Sequence, residues 1–257
     1  MKRGLIVYNA GDQERNAWFI NRLIEEFNSP SFYLEYLDES QLIDYLNNYD
    51  VDFVIYRGRD YHLLELLEAK GIKTYNNSLT NKTANDKYLT YLFLKENYIP
   101  SIPSYLDSSS LSFPFIKKSR GGHGGKEIFL IHEEKEEKPL EKAIYQPYLE
   151  NDGDMRIYIL NHQVIAAVKR ENTSDFRSNF SLGGSVSLSN PEQKVKDIAI
   201  KISKLLNATY LGVDFLLTKK GPLVNEIEDP VGARMLYQVS DIDIIKLLAN
   251  CIKEDLS

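Results

Sequence analysis

The chain has 257 residues, 43% hydrophobic and 26% charged, a composition that suits a folded soluble protein and excludes a disordered one. A formal net charge of −6 argues against a general binder of nucleic-acid backbones. A single cysteine, Cys251, excludes an internal disulfide and suits a reducing, cytoplasmic setting. The apolar run Gly4–Tyr8 behind Met1-Lys2-Arg3 is too short for a secretion signal, and no stretch approaches the ~18 apolar residues of a membrane span.

Up to Tyr75, strands alternate with helices, the sign of a parallel sheet with helical crossovers. Leu5–Tyr8, Phe32–Leu37, Val51–Tyr56 and Ile72–Tyr75 read as strands. Asp12 is placed to cap a helix in which Trp18, Ile20, Leu23, Ile24 and Phe27 recur at helical spacing. Ser40 is placed to cap a short helix with Leu42, Ile43 and Leu46 inward. Leu63–Leu67 lies in a helix stopped by Gly71 in the left-handed position. Arg57, Arg59 and Tyr61 follow the third strand, at the carboxyl end where open α/β sheets place ligands. There they either read a substrate or are solvated.

Thr83–Asn97 reads as one helix, ended by Pro100 and Pro103. Two strands, Phe113–Lys118 and Glu127–Ile131, flank a glycine loop. Glu133–Lys142, interrupted by Pro139, reads as a solvated face. Beyond Ala143 strands dominate. One helix begins near Asn190-Pro191, with proline in its first turn, and carries Val195, Ile198, Ala199, Ile202, Leu205 and Leu206 at helical spacing. A last helix covers Asp241–Lys253, where Cys251 reads as a small core residue.

Three features carry chemistry. The loop Gly121-Gly122-His123-Gly124-Gly125 lets successive backbone N–H groups converge on an anion, and Lys118 just before it can add a point charge. It matches neither the P-loop nor the dinucleotide fingerprint, and the other reading is a plain hairpin tip. The second feature is acidic. Leu211–Leu217 and Leu223–Glu228 read as strands joined by a three-residue loop, Lys219-Lys220-Gly221, which pairs Thr218 with Pro222. That register sets Asp214 opposite Glu226, with Glu228 on the same face about 7 Å along the strand. Such a cluster repels itself unless a cation joins it, and oxygen ligands of this kind suit Mg²⁺ shared with phosphates. The other reading is a solvent-facing acidic strand, against which the apolar flanks of Asp214 argue. The third feature is a hairpin turning at Asn161-His162, which pairs Leu160 with Gln163 and sets Asp154 opposite Lys169 as a cross-strand ion pair.

In their order along the chain, these features resemble the ATP-grasp superfamily, and within it the RimK-like branch of ribosomal-protein glutamate ligases. Asn85-Asp86-Lys87 resembles the Asp-Lys pair that opens the grasp module, and Phe113–Lys118 the strand carrying its second lysine. Tyr145–Leu149 resembles the adenine-reading hinge, and Asp154-Met155-Arg156 the family's Asp-x-Arg. Ala166–Arg170, and Phe176–Asn179 with Gly183-Gly184, match the branch. Asp214, Glu226 and Glu228 fall on its metal positions.

The resemblance implies an α/β fold, with a Rossmann-like pre-grasp domain over residues 1–78 and a two-part ATP-grasp module over 79–257. The module's subdomains would cover about 100–147 and 148–257. It implies an ATP-dependent ligase that joins a carboxylate to an amine through an acyl phosphate. Lys87 and Lys118 would hold the α- and β-phosphates, and Gly121, Gly122, His123, Gly124 and Gly125 would close over them. Gln146, Pro147, Tyr148 and Leu149 would read adenine, and Glu150 or Asp152 the ribose. Asp154 and Lys169 would complete the nucleotide site. One or two Mg²⁺ ions, with Mn²⁺ as a substitute, would sit on Asp214, Glu226 and Glu228. Arg156, Arg170 and Asn179 would face the γ-phosphate and acyl phosphate, and Arg234 would either grip a substrate carboxylate or lie on the surface. The partner would be a small molecule or peptide, with no nucleic acid or membrane; a homo-oligomer stays open. Two departures bear on the acceptor and the metal count: Glu228 stands where the family usually has Asn, and Asp229–Arg234 where it usually reads like Ser-Pro-Gly. A phosphotransferase acting on a hydroxyl, or a non-catalytic nucleotide-binding protein, are the other readings.

Overall fold

The structure is a computed structural model that describes residues 1–122, 127–136, 138–171 and 185–257. Its first sheet is wholly parallel, formed by β1 (Lys2–Tyr8), β2 (Phe32–Asp38), β3 (Phe53–Tyr56) and β4 (Lys73–Tyr75) in the order β2-β1-β3-β4. The crossovers are α1 (Ala10–Phe27), α2 (Leu42–Asn48) and α3 (Tyr61–Ala69). The unbroken apolar run in β1 reflects cover on both faces. Ile6 and Tyr8 pack with Phe19, Leu23 and Phe27 of α1, while Leu5 and Val7 pack with Leu42, Leu64 and Leu67 of α2 and α3. Gly71 stops α3 as expected, at φ +75°, with its N–H on the Glu68 carbonyl.

Several expected caps move. Asn9, not Asp12, caps α1, because its side chain reaches the Asp12 N–H at 2.9 Å. Asp38, not Ser40, caps the single 3₁₀ turn Glu39–Gln41 that leads into α2, and Ile43 is exposed. Trp18 also leaves the buried stripe of α1 and is 58% exposed. The expected helix over Thr83–Asn97 is two helices, α4 (Ser78–Ala84) and α5 (Lys87–Glu96). They part at Asn85-Asp86 because the Asp86 carboxylate accepts the N–H groups of Tyr88 and Leu89, the geometry of an N-cap and not of a helix interior.

A second, antiparallel sheet has the order β6 (Ile128–Ile131), β5 (Phe115–Ser119), β7 (Ala143–Pro147). The third is antiparallel and five-stranded: β10 (Ser185–Ser189), β9 (Gln163–Glu171), β8 (Asn151–Leu160), β11 (Tyr210–Thr218) and β12 (Gly221–Glu228). Helix α6 (Gln193–Leu206) covers one face of it, capped at Glu192, so Pro191 precedes the helix instead of opening it. A short helix, α7 (Arg234–Val239), was not foreseen. The last helix, α8 (Ile244–Leu256), is capped by Asp243.

Met155, Ile157 and Ile159 of β8 and Leu211, Val213 and Phe215 of β11 face α6. Tyr158, Leu160 and Tyr210 point the other way and join the core under the first sheet and α8. Asp154, Arg156 and Asp214 share that second face by strand alternation. One sheet face is therefore half core and half cleft.

Both expected hairpin registers need correction, each by one residue. The β11–β12 turn is Lys219-Lys220 alone and pairs Thr218 with Gly221, not Pro222. A β-bulge at Asn225 then restores the offset, so Asp214 does lie opposite Glu226. In β8–β9, Leu160 pairs with Gln163 as expected, but a bulge at Ile165 shifts the rest. Asp154 therefore faces Arg170, and Lys169 faces Met155. The physical reason is packing: Ile165 and Ala166 both turn into the core beneath the first sheet.

Candidate active site

A cavity of about 420 Å³ opens where the cleft half of the five-stranded sheet meets the carboxyl ends of the parallel strands. Its sheet wall carries Asp154 and Arg156 from β8, Arg170 from β9, Asp214 from β11, and Asn225, Glu226 and Glu228 from β12. Lys87 enters from the first residue of α5 and Lys118 from β5. Two bulges make this wall. Without the first, Lys169 would occupy the place of Arg170. The second turns Asn225 and Glu226, neighbours in sequence, toward the same side, while Val224 and Ile227 both pack under α6.

The charges on this wall, Lys118 apart, are paired. Arg156 donates from Nε to Asp214 Oδ1 at 2.6 Å and from Nη2 to Asp214 Oδ2 and Glu228 Oε1, each at 2.7 Å. Arg170 donates from Nη2 to Asp214 Oδ2 at 2.6 Å and from Nε to Asp154. Lys87 Nζ lies 2.8 Å from Glu226 Oε1. Lys118, 4% exposed, has Asn225 Oδ1 at 3.2 Å. Four carboxylates thus meet three cations, with Lys118 beside them, and Asp154, Asp214, Lys87, Lys118, Arg156 and Arg170 are buried, so that each interaction is strong and each unpaired charge costly.

Burial pushes the Asp214 carboxyl up, but Arg156 and Arg170 outweigh it and hold the group at about 2. For Asp154 burial wins over the pull of Arg170 and raises the carboxyl to about 6. Burial likewise lowers the Lys118 ammonium to about 8, although Glu226 acts in the opposite sense. Glu228 is raised by burial against Arg156, whereas Lys87 and Lys118 overcome burial to lower Glu226. One oxygen each from Asp214, Glu226 and Glu228 lie within 4.8 Å of one another, an all-carboxylate donor set that fits a hard divalent cation.

Lys87 also ties the root of the glycine loop to α5. Its ammonium donates to the Gly122 carbonyl and its backbone N–H to the Arg120 carbonyl at 3.0 Å, while Asp86 holds the Arg120 guanidinium. A side chain at Gly122 would meet the Ser119 and Glu127 side chains at about 3 Å, so the glycine fits a tight space there, and Gly121 beside it is exposed. His123, Gly124, Gly125 and Lys126 lie outside the described residues, as do Phe176, Arg177, Ser178, Asn179, Gly183 and Gly184.

The expected adenine segment links the second and third sheets. Gln146 and Pro147 end β7, and the Gln146 side chain is buried on Ser104 Oγ at 2.8 Å. Tyr148 and Leu149 follow, half-buried. Glu150 pairs with Lys219 at 2.7 Å, and Asp152 is exposed on β8. Lys169 sits on the face of β9 opposite Arg170 and is not part of the cavity lining. Arg234 lies exposed on the rim, with Nη2 on the Arg15 carbonyl at 2.6 Å.

The opposite wall holds Arg57 and Arg59 after β3, Asp12, Arg15 and Trp18 on α1, and Met235 on α7. Arg59 is paired with Asp12 at 2.6 Å. Tyr61 opens α3 under the Lys82 ammonium and is not in this lining. Sequence reading missed Asn225, Arg15 and the cleft position of Trp18. The one usable signal was the adjacent polar pair Asn225-Glu226 between two core residues, which breaks strand alternation.

A parallel sheet feeding two antiparallel sheets around a cation-lined cleft is the architecture of ATP-grasp enzymes. The solved structure of D-alanine–D-alanine ligase from Bacillus anthracis complexed with ATP shares this fold, with a TM-score of 0.78 over 99% of this chain and 96% of that one, at 16% identity. Residues 61–252 match the RimK-like ATP-grasp domain. The uncharacterized protein MG011 of Mycoplasma genitalium is 34% identical, covering 98% of this chain and 92% of its own. A probable alpha-L-glutamate ligase of Haemophilus influenzae is 28% identical over 84% of this chain and 80% of its own length. The protein belongs to the RimK-like ATP-grasp family, as the motif order implied, and membership implies the use of ATP. No helix among the described residues is long and apolar enough to cross a membrane.

Proposed function

We propose that the protein is an ATP- and Mg²⁺-dependent carboxylate–amine ligase acting on a small molecule or peptide. A carboxylate oxygen attacks the γ-phosphorus and ADP leaves. The amine nitrogen then attacks the acyl carbon, phosphate leaves, and the nitrogen gives up a proton. The observation that carries this reading is the sheet wall, where buried carboxylates and cations stand paired at the carboxyl end of a parallel sheet.

Asp214, Glu226 and Glu228 would hold Mg²⁺, which when bound neutralises charge on phosphate oxygens. Lys87 and Lys118 contact the α- and β-phosphates. Arg156 and Arg170, held by Asp214 in the free protein, face the γ-phosphate and the acyl phosphate, where they exchange that partner for phosphate oxygens. Asn179 is assigned to the same group. Asp154 holds Arg170 in place. Gln146–Leu149 read adenine, Asp152 the ribose, and the loop Gly121–Gly125 shields the acyl phosphate from water. Arg234, on the rim, is placed toward the substrate. Residues 1–78 form the pre-grasp domain and 79–257 the grasp module. ATP use and a lone cysteine suit a cytoplasmic enzyme.

Product analysis tests this. ADP, free phosphate and an amide should appear together only when a carboxylate and an amine are both supplied. A phosphorylated product without free phosphate would overturn the ligase reading in favour of a phosphotransferase. Replacing Glu226→Ala should lower turnover by about 10³-fold while circular dichroism stays unchanged. Undiminished turnover would refute the metal assignment.

A further inference from the structure

Asp229 directly follows Glu228 and takes no part in the proposed chemistry. It is only 6% exposed, and Arg57 and Arg59 act on it through space. Amides hold it instead. Asn76 Nδ2 donates to its Oδ1 at 2.8 Å and Asn81 Nδ2 to its Oδ2 at 3.1 Å. Its backbone carbonyl accepts from Asn85 Nδ2 at 2.9 Å. Each asparagine also holds something else. Asn76 Oδ1 accepts the N–H groups of Thr209 at 2.7 Å and Tyr210 at 3.0 Å, where β11 begins. Asn81 donates to the Gly58 carbonyl at 3.0 Å, beyond β3. Asn85 donates to the Asn81 carbonyl at 2.9 Å, at the break between α4 and α5. Two residues past Asp229, the Val231 carbonyl accepts Arg57 Nη2 at 2.7 Å.

This junction sits between two halves of the ATP site. Asn85 stands two residues before Lys87, and Asp229 one residue after Glu228. The two functional residues lie on different elements, α5 and β12. Apolar packing of Ala84 and Leu94 against Val224 and Ile227 holds those elements together, but such packing is non-directional. Hydrogen bonds to defined oxygens supply the direction. Both Asp229 oxygens face N–H donors, so an amide in its place would set one NH₂ against another. A buried carboxylate is costly unless its lone pairs are met, and here neutral donors meet them.

We propose that Asp229 is a positioning residue of the ATP site, which sets Glu228 relative to Lys87 by joining the end of β12 to the α4–α5 junction. The inference rests on the assignment of Lys87 and Glu228 to the phosphates and Mg²⁺, but not on the reaction that follows.

Titration calorimetry with a non-hydrolysable ATP analogue and Mg²⁺ tests this without a substrate. Lys87→Met and Glu228→Gln set the reference, and each should weaken binding. Asp229→Asn should weaken it by about 10- to 100-fold, the loss typical when a group that orients a metal ligand is removed, with circular dichroism unchanged. The double variant Asp229→Asn/Asn81→Asp exchanges amide and carboxylate across one bond and should recover part of the affinity. Leu23→Ala, in the core beneath the first sheet, should lower the Tm but change the affinity by less than about twofold. Unchanged affinity in Asp229→Asn, no recovery in the exchange, or an equal loss in Leu23→Ala would each overturn the proposal. If neither Lys87→Met nor Glu228→Gln weakens binding, the site assignment fails and the proposal falls with it. If both weaken binding and Asp229→Asn does not, the proposal alone falls.

Discussion

The two walls of the cleft hold charge in opposite states. On the sheet wall, Asp154, Asp214, Glu226 and Glu228 are each bound to Lys87, Arg156 or Arg170. On the wall built from β3 and α1, cations outnumber carboxylates, and Arg57 is neutralised by nothing within ion-pair distance among the described residues. A balanced wall needs no ligand to be stable, but its partners must be exchanged when phosphates bind. An unbalanced wall carries its electrostatic cost in the free protein. Both walls hold arginines, and what separates those arginines is the supply of carboxylates around them.

The contrast is broken most directly by stability. Arg156→Met strips Glu228 and one side of Asp214 of their partner and should cost about 3–5 kcal/mol, read as a fall in Tm. Arg57→Met strands no carboxylate and should cost only about 1–2 kcal/mol. Equal losses would show that the two walls do not differ as described. A smaller effect is set by pH. The Lys118 ammonium, ordinarily near 10.5, is lowered by burial to about 8. The cation is present below about 8 and is lost above it. The kcat/KM for ATP should therefore fall about tenfold per unit above pH 8, with the limb moved upward in Lys118→Arg. Because burial penalises the charged lysine in the folded chain, the same titration relieves a cost as pH rises, so unfolding does not explain the loss. The smallest effect concerns Asn225, which holds Lys118 at 3.2 Å. Asn225→Ala should raise the KM for ATP about three- to tenfold, the worth of one hydrogen bond, and leave the stability cost of Arg57→Met untouched. A change in that cost would mean that the walls are coupled.

Most of the architecture was legible because it rests on periodicity. The double-sided burial of Leu5–Tyr8 and the stripe Val195, Ala199, Ile202, Leu206 of α6 follow from spacing alone. What was not legible depends on a single inserted residue. Val164–Val168 is apolar throughout, so no alternation marks Ile165 as the bulge, and Lys169 and Arg170 exchange roles unnoticed. In β12 two errors offset each other: a turn one residue shorter than expected and a bulge at Asn225 left Asp214 opposite Glu226. The helix break at Asn85-Asp86 was missed for a different reason. Asp tolerates both helix and cap, and only the N–H groups it meets decide between them. At the cleft, Trp18 and Arg15 were hidden because a helical pattern reports which side is buried and not what the other side faces.

The core beneath the first sheet has a bearing on how the chain can be divided. Ile6, Phe19, Leu23 and Phe53 belong to the same apolar cluster as Tyr158, Leu160, Tyr210, Leu236 and Leu248. The family match itself starts at residue 61, ahead of the proposed boundary at 78. A cut at that boundary would run through the middle of one oil-filled interior and leave both fragments with a raw hydrophobic face. The pre-grasp segment is thus a unit of topology, while the unit of cooperative folding takes in both ends of the chain. Phe115, Ile131 and Ile144 of the three-stranded sheet belong to none of the three cores, so this sheet is the part attached with the least shared interior.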